Sequence, residues 1–350
     1  MNKLTYSLSA TAIIATLVSG VNANSSQPHI NEQSLQLSDF KTLKLKTFHS
    51  NVVVSHTSDT DSHFHMQQTL LDGSSEDCLY SWEIDKSWGT AEISLQKQNN
   101  NFFSSCSVER KITIRLGKND FNKVYISHHH GGINVDQLNY SSIEIDSHHS
   151  QFTVSEMTAS TLEIDKHHAA IKIDNIVADS IYFDGSHGST DILSITAKLL
   201  EAEVNHGSFA VKRSEIGKTN IESAHASIMI DEFIGSSFKA DSAHGKVKLA
   251  AKQLDRAEIE NKHGEIHFVG SSKKLKTDNS HGSTYIKQLQ QDGFEISSQS
   301  RHGNINLYLP EGTQYQGKLS GDSSYSNGKA DSKNKIDLSV KHGHSQIIHI

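Results

Sequence analysis

The chain has 350 residues, is 35% hydrophobic, holds two prolines and 22 glycines, and carries a formal net charge of −7 with its 23 histidines counted neutral. That balance excludes the basic footprint of a nucleic-acid-binding protein, and it fits an exported β protein better than a cytosolic enzyme. Past the first residues, no stretch is long and apolar enough to span a bilayer as a helix.

The first 23 residues join a charged start (Lys3) to an apolar stretch centred on Ile13, Ile14, Leu17 and Val18, and end on the small residues Val21 and Ala23. This is the pattern of a secretory signal, with cleavage expected after Ala23. Ser9, Thr11, Thr16, Ser19 and Gly20 interrupt the run, leaving it shorter than the roughly 20 apolar residues of an anchor. No cysteine follows the cleavage position, which excludes a lipid anchor there. The expected location is the periplasm, the cell surface or the medium.

Residues 24–123 form the first zone. After a polar leader from Asn24 to Leu37, the stretch Leu43, Leu45, His49, Val52 and Val54 has the spacing of a first coil. The rhythm then loosens, with strand-like pieces at Tyr80 to Ile84, Ala91 to Leu95 and Lys111 to Leu116 between polar loops such as Ser74 to Asp77 and Gln96 to Asn101. The two cysteines of the chain, Cys78 and Cys106, lie here. An even count in an oxidising compartment favours a disulfide, contributing about 3 kcal/mol on the chain-entropy account. Two free thiols and a Cys-plus-His metal site are the alternatives.

Residues 124–309 are nearly periodic. His130, His149, His168, His187, His206, His225, His244 and His263 recur every nineteen residues, and His49, His281, His302 and His342 keep the same place in the unit. Apolar residues stand six and four positions before the histidine (Ile143, Ile145; Leu162, Ile164; Ile181, Phe183) and mostly three and five after it (Phe152, Val154; Ile171, Ile173; Phe209, Val211). Two alternating strands around a turn, repeated at a fixed period, predict an all-β, single-stranded right-handed parallel β-helix of about 11–12 coils. At the usual strand spacing, His130 to His302 would span about 43 Å. In the last zone, 310–350, a Gly-, Ser- and Asn-rich excursion from Pro310 to Lys335 precedes a closing coil with Ile336, Leu338 and His342 that ends at Ile350.

The opening pair Leu43 to Val54, the strand Lys111 to Leu116, the Ser/Asn-x-Gly-x-Ile turn and the tail Gly303-Asn304-Ile305-Asn306-Leu307-Tyr308-Leu309-Pro310 occur in an order that resembles a bacterial exported β-strand-repeat family of unknown function, often labelled adhesin-like. The resemblance covers nearly the whole mature chain. It implies the solenoid fold and an envelope location, and it carries over no catalytic residue. Where that family has Ser or Asn before the turn glycine, this chain has His187-Gly188, His206-Gly207, His244-Gly245, His263-Gly264, His281-Gly282, His302-Gly303 and His342-Gly343.

That departure directs attention to chemistry. Each histidine is expected to stack on the next. Three residues ahead runs a column of carboxylates, Asp146, Asp165, Asp184, Glu203, Glu222, Asp241, Glu260 and Asp278, which repel one another unless cations lie between. His128, His129, His148 and His167 thicken the row at its first regular coils. Neutral imidazole suits Zn²⁺, Cu²⁺ and Ni²⁺, with carboxylates as ligands or as acceptors that set the ring tautomer. The expectation is several ions per chain, zinc first, about one for each two coils. A purely structural ladder in an adhesin-like scaffold, with the carboxylates as a solvated acidic edge, is the main rival, and a pH-responsive stack is a third reading. His63-x-His65 beside Asp59 and Asp61, and His344 and His349, are weaker candidates. No Gly-x-Ser-x-Gly elbow occurs, and the repeated Ser, His and Asp argue against a single triad. Partners beyond metal ions are expected at the envelope surface, with self-association through free coil edges at Leu43 and Ile350.

Overall fold

The computed structural model describes residues 28–71, 73–97, 106–118, 121–324 and 331–350, without the side chains of 321–324. The signal segment expected at 1–23 and part of the Gln96 to Asn101 loop lie outside the described residues. Nineteen strands run in chain order. The first six are β1 (His29–Gln36), β2 (Thr42–His56), β3 (Asp61–Leu70), β4 (Tyr80–Ser87), β5 (Thr90–Lys97) and β6 (Val108–Leu116). The regular coils are β7 (Lys123–Asn139), β8 (Ser142–His167), β9 (Ala170–Ser186), β10 (Ser189–Asn205), β11 (Gly207–Ser223), β12 (Ala226–His244), β13 (Val247–His263) and β14 (Ile266–His281). The last five are β15 (Thr284–Gln288), β16 (Glu295–His302), β17 (Ile305–Leu309), β18 (Gln316–Ser324) and β19 (Lys335–His349).

The coils stack as a parallel β-solenoid in which successive regular strands pair mostly at an offset of 19 residues, with register shifts between β12 and β13 and between β13 and β14. Thr190 lies beside Ile171 and Phe209, and Phe209 beside Ile228. Ile228 then pairs with Val247 and Val247 with Ile266, giving one buried column through successive coils. Each coil is more than the two strands read from the repeat. In β10 the buried residues run Thr190, Ile192, Ile195, Ala197, Leu200, Ala202, Val204. Alternation slips by a residue between Ile192 and Ile195 and again between Ala197 and Leu200. Two bends therefore join the histidine turn, so the chain turns three corners per coil while keeping its apolar side chains inward.

Both end coils are covered. β2 pairs with β7 on one side and with β5 and β6 on the other. β3 lies antiparallel to β6, β1 antiparallel to β3, and β4 antiparallel to β5. At the other end β19 runs between β16 and β17 on one side and β18 on the other. The free edge expected at Leu43 is corrected, because Leu43 pairs with Ala91 on one side and Val124 on the other, whereas the Ile350 amide donates to the Leu309 carbonyl of the preceding strand at 2.9 Å. The 310–335 excursion contains β18, which lies along the closing coil. An unpaired coil edge would present a row of free backbone groups, and each end hides it with chain that leaves the coil and returns.

Cys78 and Cys106 form a disulfide with their Cα atoms 5.5 Å apart. It ties the short 3₁₀ turn Glu76–Cys78 to the segment entering β6, within the layer that covers β2. Replacing both cysteines by alanine is expected to lower stability by about 3 kcal/mol, read as a shifted midpoint in urea denaturation. A change below about 1 kcal/mol would show that packing alone holds this layer.

Candidate metal centre on the histidine face

The histidine turn has two forms. In the first six coils the histidine itself is left-handed, with φ between 46° and 62° at His49, His130, His149, His168, His187 and His206. There its amide donates to the carbonyl just before the next histidine, as in His168 N to Ser186 O at 2.9 Å and His187 N to Asn205 O at 2.8 Å. From His244 onward the following glycine carries the turn, and its amide donates to the next histidine carbonyl, as in Gly264 N to His281 O at 2.9 Å. A Cβ on Gly264 would sit 1.8 Å from the Gly245 oxygen, so only glycine fits there.

All twelve ladder rings, His49, His130, His149, His168, His187, His206, His225, His244, His263, His281, His302 and His342, stack face to face. Their centroids are 4.4 to 5.0 Å apart. The widest interplanar angle, 29°, falls between His206 and His225, where the turn changes form. Every ladder residue is exposed, so the row lies outside the solenoid. Among the described residues, no ladder ring hydrogen-bonds to a protein group.

The residue two before the histidine faces inward, and in several coils it is polar and hydrogen-bonds within the turn. Asn261 Nδ2 donates to Gly245 O at 2.9 Å, Asn279 Nδ2 to Gly264 O at 3.0 Å, and Ser242 Oγ to His244 O at 3.2 Å. Lys166, 1% exposed, donates to the carbonyls of Ala169 and His187 at 3.2 and 3.4 Å, and burial pulls its ammonium down to about 8. His128 holds this inward position in its own coil. It is 0% exposed, shares a 2.8 Å hydrogen bond with Thr47 Oγ1, and stands apart from the outward rings. Holding the turn together from inside is thus not a task of the ladder imidazoles.

The position just before the ladder faces outward and forms a second short stack. His129 lies 4.6 Å from His148, and His148 lies 4.9 Å from His167. Beside it stands Asp146, whose Oδ2 accepts from Tyr125 OH at 3.1 Å and Ser127 Oγ at 3.2 Å. Its other oxygen, Oδ1, is shielded from solvent, lies 2.8 Å from His148 Nε2, and takes no aligned hydrogen bond. One donor atom from each of His129, Asp146 and His148 falls within 4.8 Å of the others, the one such group of three among the described residues. One coil on, His167 Nε2 is 3.6 Å from Asp165 Oδ1, while its Nδ1 shares a hydrogen bond with Ser186 Oγ at 2.5 Å. Tyr125 and Ser127 were not among the candidates read from sequence. The nineteen-residue offset that puts Ser127 beside Asp146 is the signal that would have found the second of them.

The carboxylate column is continuous. Asp165 pairs with Asp184, Asp184 with Glu203, Glu203 with Glu222, Glu222 with Asp241, Asp241 with Glu260 and Glu260 with Asp278. Burial, then the charges of Asp165 and Glu203, raises the Asp184 carboxyl above its ordinary range, against the pull of His167. Lys276 Nζ approaches Glu258 at 2.6 Å and Glu260 at 3.6 Å, so a lysine supplies counter-charge at the far end. His63 and His65 pair separately with Asp59 (3.6 Å) and Glu32 (2.9 Å). His349 Nδ1 lies 3.4 Å from the Pro310 carbonyl, away from the ladder.

The repeated coil, its capped ends and the outward turn row can be set beside known proteins. A family profile described as Toastrack DUF4097 matches residues 40–219, just over half of the chain. The chain belongs to the Toastrack DUF4097 family. No curated protein matches this Toastrack chain. Among solved structures it is similar to a candidate adhesin of Parabacteroides merdae at 10% identity, covering 91% of this chain and 96% of that one with a TM-score of 0.40. A candidate adhesin of Parabacteroides distasonis is similar at 9% identity over 92% and 97%, with a TM-score of 0.35. A candidate lipid-binding protein of the same species gives 13% over 91% and 96%, with a TM-score of 0.28. None of these likenesses is close enough to bear on what this Toastrack chain binds. Among its described residues no helix is long and apolar enough to cross a membrane.

Acid should loosen the turn core. Burial, then the charges of His129, His130 and His49, lowers the His128 imidazole to about 4. Burial and then neighbouring ring charges also lower His149, His187, His244 and His302. An unfolded imidazole titrates near 6.5, so between about pH 4 and 6.5 the unfolded chain binds more protons and stability rises with pH. Denaturant titration in chelator is expected to show lower stability at pH 4.5 than at 7.5. His128→Gln should remove about 2 kcal/mol of that difference, and equal stability at both pH values would refute the assignment.

Proposed function

We propose that this β-solenoid is an exported scaffold that holds several transition-metal ions on its histidine face, zinc first and copper or nickel next. The observation that carries the reading is the group His129, Asp146 and His148. An aspartate anchored through Oδ2 by Tyr125 and Ser127 presents Oδ1, which takes no aligned hydrogen bond, beside two outward imidazoles. Two nitrogens and a carboxylate oxygen are a common catalytic-type zinc set, with bonds of about 2.0–2.2 Å. The half-exposed rings need only rotate about their side-chain bonds to reach it. The Tyr125 and Ser127 hydroxyls then act as outer partners that orient the carboxylate.

The twelve-ring row adds exposed imidazoles whose nitrogens no protein group uses, and the carboxylate column beside it lowers the cost of gathering cations. The companion reading is an adhesin-like surface scaffold in which the row only packs. The stacked rings favour that reading in one respect, since aromatic faces in contact need no ion between them.

Metal content of the tag-free mature chain after equilibrium dialysis against Zn²⁺, Cu²⁺ and Ni²⁺ decides between them. Several zinc ions per chain are expected, with at least one tightly held equivalent lost in the triple variant His129→Asn, Asp146→Asn, His148→Asn. A further loss is expected in His168→Asn, His187→Asn, His206→Asn, His225→Asn. Content no higher than that of a control protein would leave the histidines structural and abandon metal binding.

A further inference from the structure

The ladder differs from the second stack in one respect that bears on its ions. His129 and His148 have Asp146 as a third donor, whereas among the described residues no ladder ring belongs to a group of three donors within 4.8 Å. Ten of the eleven neighbouring ladder pairs lie within 15° of parallel, at centroid separations of 4.4 to 5.0 Å. Imidazole lone pairs lie in the ring plane, so parallel rings hold them parallel. Two nitrogens on one zinc stand about 3.3 Å apart, given bonds of about 2.0–2.1 Å. The stacked pairs are wider than that, as His129 and His148 are, but no third donor of this chain stands beside a ladder pair to draw its rings together as Asp146 does for His129 and His148. An ion on a ladder ring therefore has one ligand from this chain and must complete its shell from outside.

We infer that a second copy of this chain supplies those ligands, so that two solenoids join face to face through a metal-bridged seam of paired imidazoles. The inference rests on the metal-binding reading above and adds the partner of the same face. Pitch is the first argument. A row repeating at 4.4 to 5.0 Å over eleven steps is matched rung for rung by another row of the same pitch, and the chain itself carries one.

Charge is the second argument, and it selects the orientation. On one flank of the row runs the carboxylate column Asp146 to Asp278. On the other, two residues after the histidines from His149 to His225, stand the neutral Gln151, Ala170, Ser189, Ser208 and Ser227, followed by Lys246 and Glu265, which pair with each other at 3.0 Å. A two-fold axis running along the ladder sets the acidic flank of each copy against the neutral flank of the other and faces each histidine with its own counterpart. The reversed arrangement sets carboxylates against carboxylates and is disfavoured. The parallel pairing is isologous and closes as a dimer.

Sedimentation equilibrium of the tag-free chain with and without saturating ZnCl₂, and again after EDTA, tests this. The expected result is a monomer in EDTA and a dimer in zinc that reverts on chelation. The dimer should weaken at least tenfold in His168→Asn, His187→Asn, His206→Asn, His225→Asn and persist in the His129→Asn, Asp146→Asn, His148→Asn variant. Circular dichroism checks that each variant keeps its strand content, and the wild-type comparison stands even where a variant fails to fold. A monomer that binds ladder zinc would overturn the proposal, because the ions would then be chelated within one chain. A dimer indifferent to zinc or to the ladder substitutions, or open-ended aggregation, would overturn it as well. A chain that binds no zinc would remove the underlying reading together with it.

Discussion

The in-register parallel pairing of successive coils is the constraint on which the rest depends. Because Thr190, Phe209, Ile228, Val247 and Ile266 must stay opposite one another for the core column to close, every other position in the unit is forced into a column too. A one-residue slip would turn the apolar set outward, so the offset is held by core burial and by the hydrogen bonds between coils together. Twelve stacked rings and eight aligned carboxylates are consequences of that offset. Whatever chemistry they perform, the core places them.

The turn shows how the same offset is met by two backbones. Six histidines adopt left-handed conformations, a region costly for a residue with a Cβ although less rare for histidine than for most. In the later coils glycine takes that burden. The ring row crosses the change with its largest tilt, 29° between His206 and His225, and does not break. Inside the same turns, small polar side chains, one lysine and one histidine meet backbone carbonyls or neighbouring hydroxyls, so the outer imidazoles are free of that duty. Freed ring nitrogens on an ordered row are the feature on which the metal-binding proposal draws.

The ends obey the same physics by another route. A solenoid stacked by parallel pairing offers an open edge at each end, and unpaired backbone groups invite the wrong partner. Here chain that leaves the coil after β2 and after β17 supplies the covering layers, with the Cys78–Cys106 bridge fastening the first.

The nineteen-residue period of His130 to His263, with its flanking apolar pairs, by itself determined the solenoid, the stacking of the histidines and the existence of the carboxylate column. A repeat must bury its face against its neighbours, and equal spacing in sequence becomes alignment in space. Only the tertiary structure decided which way each side chain points. His128 and His129 are adjacent and chemically identical, yet one is sealed against Thr47 and the other stands beside Asp146 and His148, because strand parity changes at a corner whose backbone form the sequence does not specify. The capping of Leu43 was likewise hidden. It depends on where the loosely patterned segment 57–122 folds back, and such long-range pairings leave no period to read.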